Sequence, residues 1–95
     1  MFVVTLTYIQ PIEAIEAKTA EHREWLDQFV ADGRLLLAGP KVPRTGGVLV
    51  FATGPSKDEI AALLEADPFK AHGLADYDIV EFNPGKIAPA LRGLV

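Results

Sequence analysis

The sequence predicts an α+β fold in which a four-stranded antiparallel sheet carries two helices on one face. Residues 2–9 alternate apolar and polar side chains, as a half-buried strand does. Residues 12–33 change to an apolar period of three to four residues, which is typical of a helix, and the same change recurs in the second half of the chain. The order strand, helix, strand, strand, helix, strand is the ferredoxin-like βαββαβ arrangement.

Composition narrows the classes of function. The chain has 95 residues, 49% of them apolar, so we expect one domain over residues 1–95, with residues 85–95 as an apolar C-terminal tail. The absence of cysteine excludes disulfides and thiol nucleophiles. A net charge of −4 without a basic cluster disfavours nucleic-acid binding. No apolar run has the roughly 20 residues of a membrane span, which predicts a cytoplasmic protein that contacts no membrane.

The first strand and helix have well-defined patterns. In residues 2–9, Phe2, Val4, Leu6 and Tyr8 share one face of the strand. Pro11 suits a first helical turn, and Gly33 suits the end of the helix. The apolar stripe of the helix consists of Ile12, Ile15, Thr19, His22, Leu26 and Phe29, widened by Trp25 and Val30.

The second half repeats the strand and helix signals. Residues 34–39 predict a buried strand, and residues 47–53 predict a strand antiparallel to it, because the connection between them is too short for a helical crossover. Ser56 with Glu59 forms a capping-box pattern that opens a helix. Asp67 before Pro68 predicts a second cap, and a short helix ending at Gly73. Residues 77–82 are the last predicted strand.

His22 interrupts the apolar stripe of the first helix, so its imidazole is expected to face the sheet. Two interpretations stay open: a working acid or base, or a hydrogen-bonded structural histidine. Asp67 is the candidate carboxylate partner, although the cap that it predicts would also explain it. The two roles of Asp67 can coexist, since one carboxylate oxygen can cap a helix while the other faces a cavity.

Other polar residues are weaker candidates. Arg44 lies in a glycine- and proline-rich loop, where an arginine can bind an anionic ligand or simply be solvated. His72 suits a helix C-terminus, and Ser56 is explained by its capping role. Two histidines without cysteine are too few for a typical metal site, and no nucleotide-binding motif is present. We therefore predict no metal and no cofactor.

Two segments, EHREWLDQFVADGRLLLAGP (residues 21–40) and ADPFKAHGLADYDIVEF (residues 66–82), resemble the YCII-related (YciI-like) family. The family pattern has a histidine in the first helix, then G-x-L-L-x-A-G-P, and later D-P-[FY]-x-x-x-G-[LV]. In this chain these are His22, residues 33–40 and residues 67–74. The resemblance extends over roughly residues 2–84.

The resemblance implies a ferredoxin-like subunit that assembles as a dimeric α+β barrel. It also implies that His22 and Asp67 are neighbours in a pocket, as a catalytic His–Asp pair. One branch of the family resembles an enzyme that removes chloride from a chlorinated hydroxyquinol. The roles of Arg44 and His72 are not part of this resemblance.

The sequence thus leads to a hypothesis of a small homodimeric, cofactor-independent enzyme that isomerises or eliminates from a small aromatic or cyclic metabolite. His22 would be the general acid or base, and Asp67 would orient its imidazole. Arg44 would bind an anionic group of the substrate, while Tyr8, Trp25 and Phe69 are either pocket walls or core. The alternative is a non-catalytic domain of the same fold that binds a small molecule.

Overall fold

The computed structural model describes residues 1–94 and has four strands in one sheet. The sheet order is β2-β3-β1-β4, and every neighbouring pair is antiparallel. This order confirms the predicted ferredoxin-like fold. The elements are β1 (Phe2–Tyr8), α1 (Ile12–Ala31), β2 (Leu35–Pro40), β3 (Gly46–Phe51), α2 (Lys57–Leu64), α3 (Pro68–Ala71) and β4 (Ala75–Glu81).

The core lies between the helices and one face of the sheet. β1 is an inner strand, and its alternating residues Phe2, Val4 and Leu6 are almost completely buried. Ile15 of α1 and Ile60 of α2 are buried against the same face. The alternation seen in the sequence therefore separates a covered face of the sheet from an uncovered one.

Helix α1 follows its predicted limits, but its buried stripe is narrower than predicted. Pro11 is the N-cap, and Gly33 adopts φ 82° just beyond the helix, a conformation that glycine adopts without strain. Ile12 and Val30 are exposed, contrary to the prediction. Helical side chains tilt towards the N-terminus, so that of Ile12 projects beyond the first turn, whereas Val30 lies at a cavity.

Strand β2 exists, but the prediction that it is buried is wrong. Only Leu35 is buried, and Leu37 is 67% exposed. The strand forms one edge of the sheet and pairs with β3, and its register shifts between Leu35 and Leu37. An apolar run in the sequence does not reveal whether a strand lies at the edge or in the centre of a sheet.

Both predicted helix caps are confirmed. The Ser56 hydroxyl accepts a hydrogen bond of 3.2 Å from the Glu59 N–H at the start of α2. The Asp67 carboxylate accepts one of 3.1 Å from the Phe69 N–H at the start of α3. These local bonds set where the two helices begin, and the second also fixes the position of Asp67.

The uncovered face of the sheet presents a row of apolar side chains that crosses all four strands. Val3 of β1 is the register partner of Val50 of β3 and of Val80 of β4, and Val50 is in turn the partner of Leu37 of β2. Val80 is 49% exposed and Leu37 still more, so this row is open to a further layer.

The segment just before the C-terminal tail is hydrogen-bonded to the start of the chain. The Met1 ammonium group donates a 2.9 Å hydrogen bond to the Phe82 carbonyl, and the Phe82 N–H donates one to the Met1 carbonyl. A short 3-10 helix follows at Pro89–Leu91, and Leu91 and Leu94 are exposed. Val95 lies outside the described residues. Among residues 1–94, no helix is both long and apolar enough to cross a membrane.

Gly46 is required by the contact of β3 with β1. A Cβ atom at this position would lie 1.8 Å from the Leu6 carbonyl oxygen. We expect Gly46→Ala to lower the free energy of unfolding by about 3 kcal/mol or more, the upper range for overpacking, because the obstruction is backbone. Urea unfolding measures the change.

Gly39→Ala on the neighbouring edge strand is the matched control, since nothing lies within 4 Å of a Cβ there. Equal losses for the two variants would contradict the steric explanation.

Candidate active site

A cavity of about 540 Å³ lies between α1 and the covered face of the sheet, within the size range of small-molecule sites. Its floor contains apolar side chains, among them Leu6, Leu49 and Phe69. Small residues of β2 and β3, Ala38 and Gly47, keep the space above that floor open. The volume is sufficient for a small organic molecule.

His22 is one of the polar residues that line this cavity. Its Nδ1 atom lies 2.7 Å from Oδ1 of Asp67, although 45 residues separate them in the chain. The His22 side chain is 12% exposed, whereas that of Asp67 is completely buried. The interaction is therefore largely shielded from water. Hydrogen bonds to a charged group are stronger in such an environment than on a surface.

Asp67 accepts hydrogen bonds from three directions. Oδ1 accepts from His22 Nδ1 and the Phe69 N–H, while Oδ2 accepts from the hydroxyl of Tyr77. Within residues 1–94, no buried side-chain nitrogen or oxygen lacks a partner. The capping and site interactions thus share one oxygen, which differs from the division between two oxygens that the sequence suggested.

This arrangement determines which nitrogen of His22 is protonated. An ionised carboxylate only accepts hydrogen bonds, so Nδ1 of His22 must donate to Asp67. In a neutral imidazole, Nε2 then carries the lone pair. Nε2 has no hydrogen-bond partner among the described residues, yet no buried side-chain nitrogen or oxygen there lacks one. Nε2 is therefore accessible, on a side chain that lines the cavity. This tautomer can take a proton from a ligand.

Aromatic packing fixes the plane of the imidazole. The ring of His22 stacks on Phe69 with a centroid distance of 4.0 Å and an interplanar angle of 9°. Tyr8 meets the same Phe69 edge-on at 5.9 Å. The hydrogen bond at Nδ1 and the stack against Phe69 together leave the imidazole little freedom to turn.

Tyr77 lies behind Asp67, on β4. Burial raises the pKa of its phenol far above the usual range, and the hydrogen bond to Asp67 and the charge of that carboxylate raise it further. Tyr77 therefore remains a neutral donor at physiological pH. Sequence reasoning missed this residue, because only the register that places Tyr77 opposite Leu6 on the covered face brings it to Asp67.

Arginines lie at the opening of the cavity. Arg44, in the β2–β3 loop, lines the cavity, with Nη2 3.5 Å from the Thr19 hydroxyl and Nη1 3.7 Å from Glu16. Arg23 of α1 also lines it and was not predicted from the sequence. The contact with Glu16 is long and exposed, so it holds Arg44 only weakly. The Arg44 guanidinium is therefore available to an anionic ligand.

The remaining candidates lie in different places. Tyr8 and Phe69 line the cavity, whereas Trp25 is buried in the core and meets Phe29 edge-on at 4.9 Å. His72 is exposed at the C-cap of α3. Within residues 1–94, no group of three or more His, Cys, Asp or Glu side chains is arranged to hold a metal ion.

A family model, the YCII-related domain, matches residues 1–83. The chain belongs to the YCII-related family. The match includes every residue of the cavity and of the His22–Asp67 interaction.

Individual relatives agree with this assignment. The chain is 38% identical over 64 residues to the uncharacterised protein YjpA of Bacillus subtilis (strain 168). The aligned region covers 67% of this chain and 74% of that protein. The fold of this chain is similar to that of 5-chloro-2-hydroxyhydroquinone dehydrochlorinase (TftG) from Burkholderia phenoliruptrix AC1100, in complex with 2,5-dihydroxybenzoquinone. The TM-score is 0.72 at 21% identity, over 87% of this chain and 94% of that one. At this identity the likeness shows the fold.

The raised pKa of Tyr77 predicts a specific loss of stability in alkali. Below about pH 10, tyrosine is protonated in both the folded and unfolded states, so the contribution of Tyr77 is complete. Above it, only the unfolded state loses the proton, and stability decreases. We expect Tyr77→Phe to be less stable by about 1.5–3 kcal/mol near neutral pH, the range for a hydrogen bond to a charged group.

Urea unfolding of both proteins at about pH 8 and about pH 11 measures this effect. The difference between them should shrink at the higher pH. A difference that is constant with pH would contradict the protonation argument, because other alkaline effects act on both proteins.

Proposed function

We propose that this protein is a small cofactor-independent enzyme in which His22 transfers a proton to or from a small aromatic or cyclic metabolite. The observation that carries the proposal is the state of the imidazole: Nδ1 is held by a buried carboxylate, and Nε2 opens to a cavity. A fixed tautomer with a free lone pair is what a general base requires. Asp67 orients the imidazole and stabilises the imidazolium that forms.

The reaction class follows from what one acid–base group can do. Nε2 of His22 removes a proton from a carbon or hydroxyl of the substrate, and the electron pair moves into the ring. In an elimination, the pair then expels a leaving group with its electrons. In an isomerisation, His22 returns the proton to another atom. Both outcomes balance without an added oxidant or reductant.

The substrate class is inferred from the cavity. Its apolar floor, which includes the ring of Phe69, and the ring of Tyr8 that contacts Phe69 favour a planar ring. Arg44, with Arg23 beside the cavity, would hold a phenolate, enolate or carboxylate oxygen. The dehydrochlorinase of similar fold was solved with a dihydroxybenzoquinone, which supports a ring that carries oxygen substituents.

Exchange of substrate protons with solvent tests this function before the product is known. Hydroxylated benzoquinones, hydroquinones and cyclic enols are incubated with the protein in D₂O, and deuterium incorporation is followed by mass spectrometry. We expect His22→Ala and Asp67→Asn each to slow exchange by about 10²- to 10⁴-fold, the usual contribution of general acid–base catalysis. Asp67→Asn retains the shape, removes the charge and replaces one acceptor oxygen by an NH₂ donor.

Ala38→Leu places a larger side chain in the cavity, and it should abolish both exchange and the binding of 2,5-dihydroxybenzoquinone measured by calorimetry. Ala20→Leu, on an exposed position of α1, is the matched control. A different result is that the unmodified protein binds the quinone, loses that binding in Ala38→Leu, and yet exchanges protons on no compound. That result would reject the enzyme in favour of the alternative, a non-catalytic small-molecule-binding domain.

We further propose that the active form is a homodimer joined through the uncovered face of the sheet. The apolar row from Leu37 to Val80 spans all four strands and is left open by the single chain. A second copy would bury this row, as in the dimeric α+β barrel that the sequence resemblance implies. Contiguous apolar surface of this kind is uncommon on a monomer.

Val80→Asp tests the dimer. Placing a charge in the row should shift the protein from a mass of two chains to a mass of one chain in sedimentation equilibrium, because an unpaired charge is costly to bury. Val42→Asp is the matched control, since Val42 is 96% exposed in the β2–β3 loop. A monomeric unmodified protein, or a Val80→Asp dimer, would refute this interface.

A further inference from the structure

Tyr77 contacts Asp67, the carboxylate of the proposed catalytic pair, from outside the cavity. Its hydroxyl donates to Oδ2 of Asp67, while His22 and the Phe69 N–H occupy Oδ1. Tyr77 is half-buried and is not among the residues that line the cavity described within residues 1–94. A ligand in the cavity therefore contacts His22 and not Tyr77.

The two oxygens of Asp67 accept hydrogen bonds from different donors and have different roles. Oδ2 is bound by the phenol, and this bond, together with the Phe69 N–H on Oδ1, prevents the carboxylate from rotating. Oδ1 is thereby presented to Nδ1 of His22 at 2.7 Å. The phenol also draws negative charge towards Oδ2, which weakens Oδ1 as an acceptor.

We propose that Tyr77 is a positioning residue, the third member of a relay from Tyr77 through Asp67 to His22. Its phenol fixes the orientation of the carboxylate and sets the strength of the Asp67–His22 hydrogen bond. Through that bond it sets how readily Nε2 accepts a proton. The catalytic meaning of this relay rests on the proposed function of His22, whereas the coupling between the two hydrogen bonds does not.

A purely structural Tyr77 makes a different prediction. In that case its hydroxyl only satisfies a buried acceptor, and its loss lowers stability without changing the bond between His22 and Asp67. Stability alone cannot separate the two roles. The chemical shift of the His22 Nδ1 proton can, because it moves downfield as the hydrogen bond to the carboxylate strengthens.

The experiment is proton–nitrogen NMR of the complete, ¹⁵N-labelled protein at one fixed pH. The chain has two histidines, so His72, which is exposed at the C-cap of α3, is an internal reference. In Tyr77→Phe, the carboxylate loses one donor, and the His22 Nδ1–H resonance should shift downfield. Tyr8→Phe removes the other phenol of the chain, which makes no hydrogen bond to Asp67 among the described residues, and should shift the resonance much less than Tyr77→Phe does.

A second, isosteric change protects the test against a Tyr77→Phe protein that folds poorly. In the Tyr8→Phe background, incorporation of fluorotyrosine labels Tyr77 alone and makes its phenol a stronger donor. The His22 Nδ1–H resonance should then shift upfield, opposite in sign to the effect of Tyr77→Phe. Shifts of opposite sign cannot arise from a general loosening of the fold.

The proposal is overturned if the His22 resonance stays unchanged in the fluorotyrosine protein, or if both changes move it in the same direction. The readout needs no turnover, so failure of the proposed function is distinguishable. Opposite shifts with no proton exchange on any compound would retain the relay and reject the enzyme. Exchange by His22 without these shifts would retain the enzyme and reject Tyr77 as a positioning residue.

Discussion

The buried carboxylate of Asp67 is the interaction on which the rest of the structure depends. It joins α1 through His22, β4 through Tyr77, and the start of α3 through the Phe69 N–H. An unpaired carboxylate in the interior would cost several kcal/mol, so the three donors together stabilise the packing of α1, β4 and the start of α3 around Asp67. The site is therefore built into the packing of the domain.

The same constraint makes the site asymmetric. The Nδ1 side of His22 is closed by Asp67 and its ring is stacked on Phe69, while Nε2 opens to the cavity. Because the donors around Asp67 are in place without a ligand, little reorganisation is needed when His22 gains or loses a proton. Small residues on β2 and β3 provide the space, and Arg44 at the loop provides charge, so in the proposed enzyme ligand selection would be separate from proton transfer.

Local signals in the sequence predicted most of the fold. Ser56 and Asp67 cap their helices as expected, because a cap depends on residues two or three positions away. The alternation in β1 and the period of α1 identified which faces are apolar. The burial of β2 was predicted wrongly, since the edge position that exposes Leu37 is a property of the whole sheet. The exposure of Val30 likewise depends on the cavity beside it.

By itself, the sequence determined the order of the elements, the positions of the caps and the choice of His22 and Asp67 as candidates. Only the tertiary structure decided that Tyr77 completes the carboxylate, that Arg23 joins Arg44 at the cavity, and that Trp25 belongs to the core. The physical reason is that hydrogen bonds are short and directional. The antiparallel register of β1 and β4 places Tyr77 behind Asp67, and no spacing in the linear chain encodes that distance.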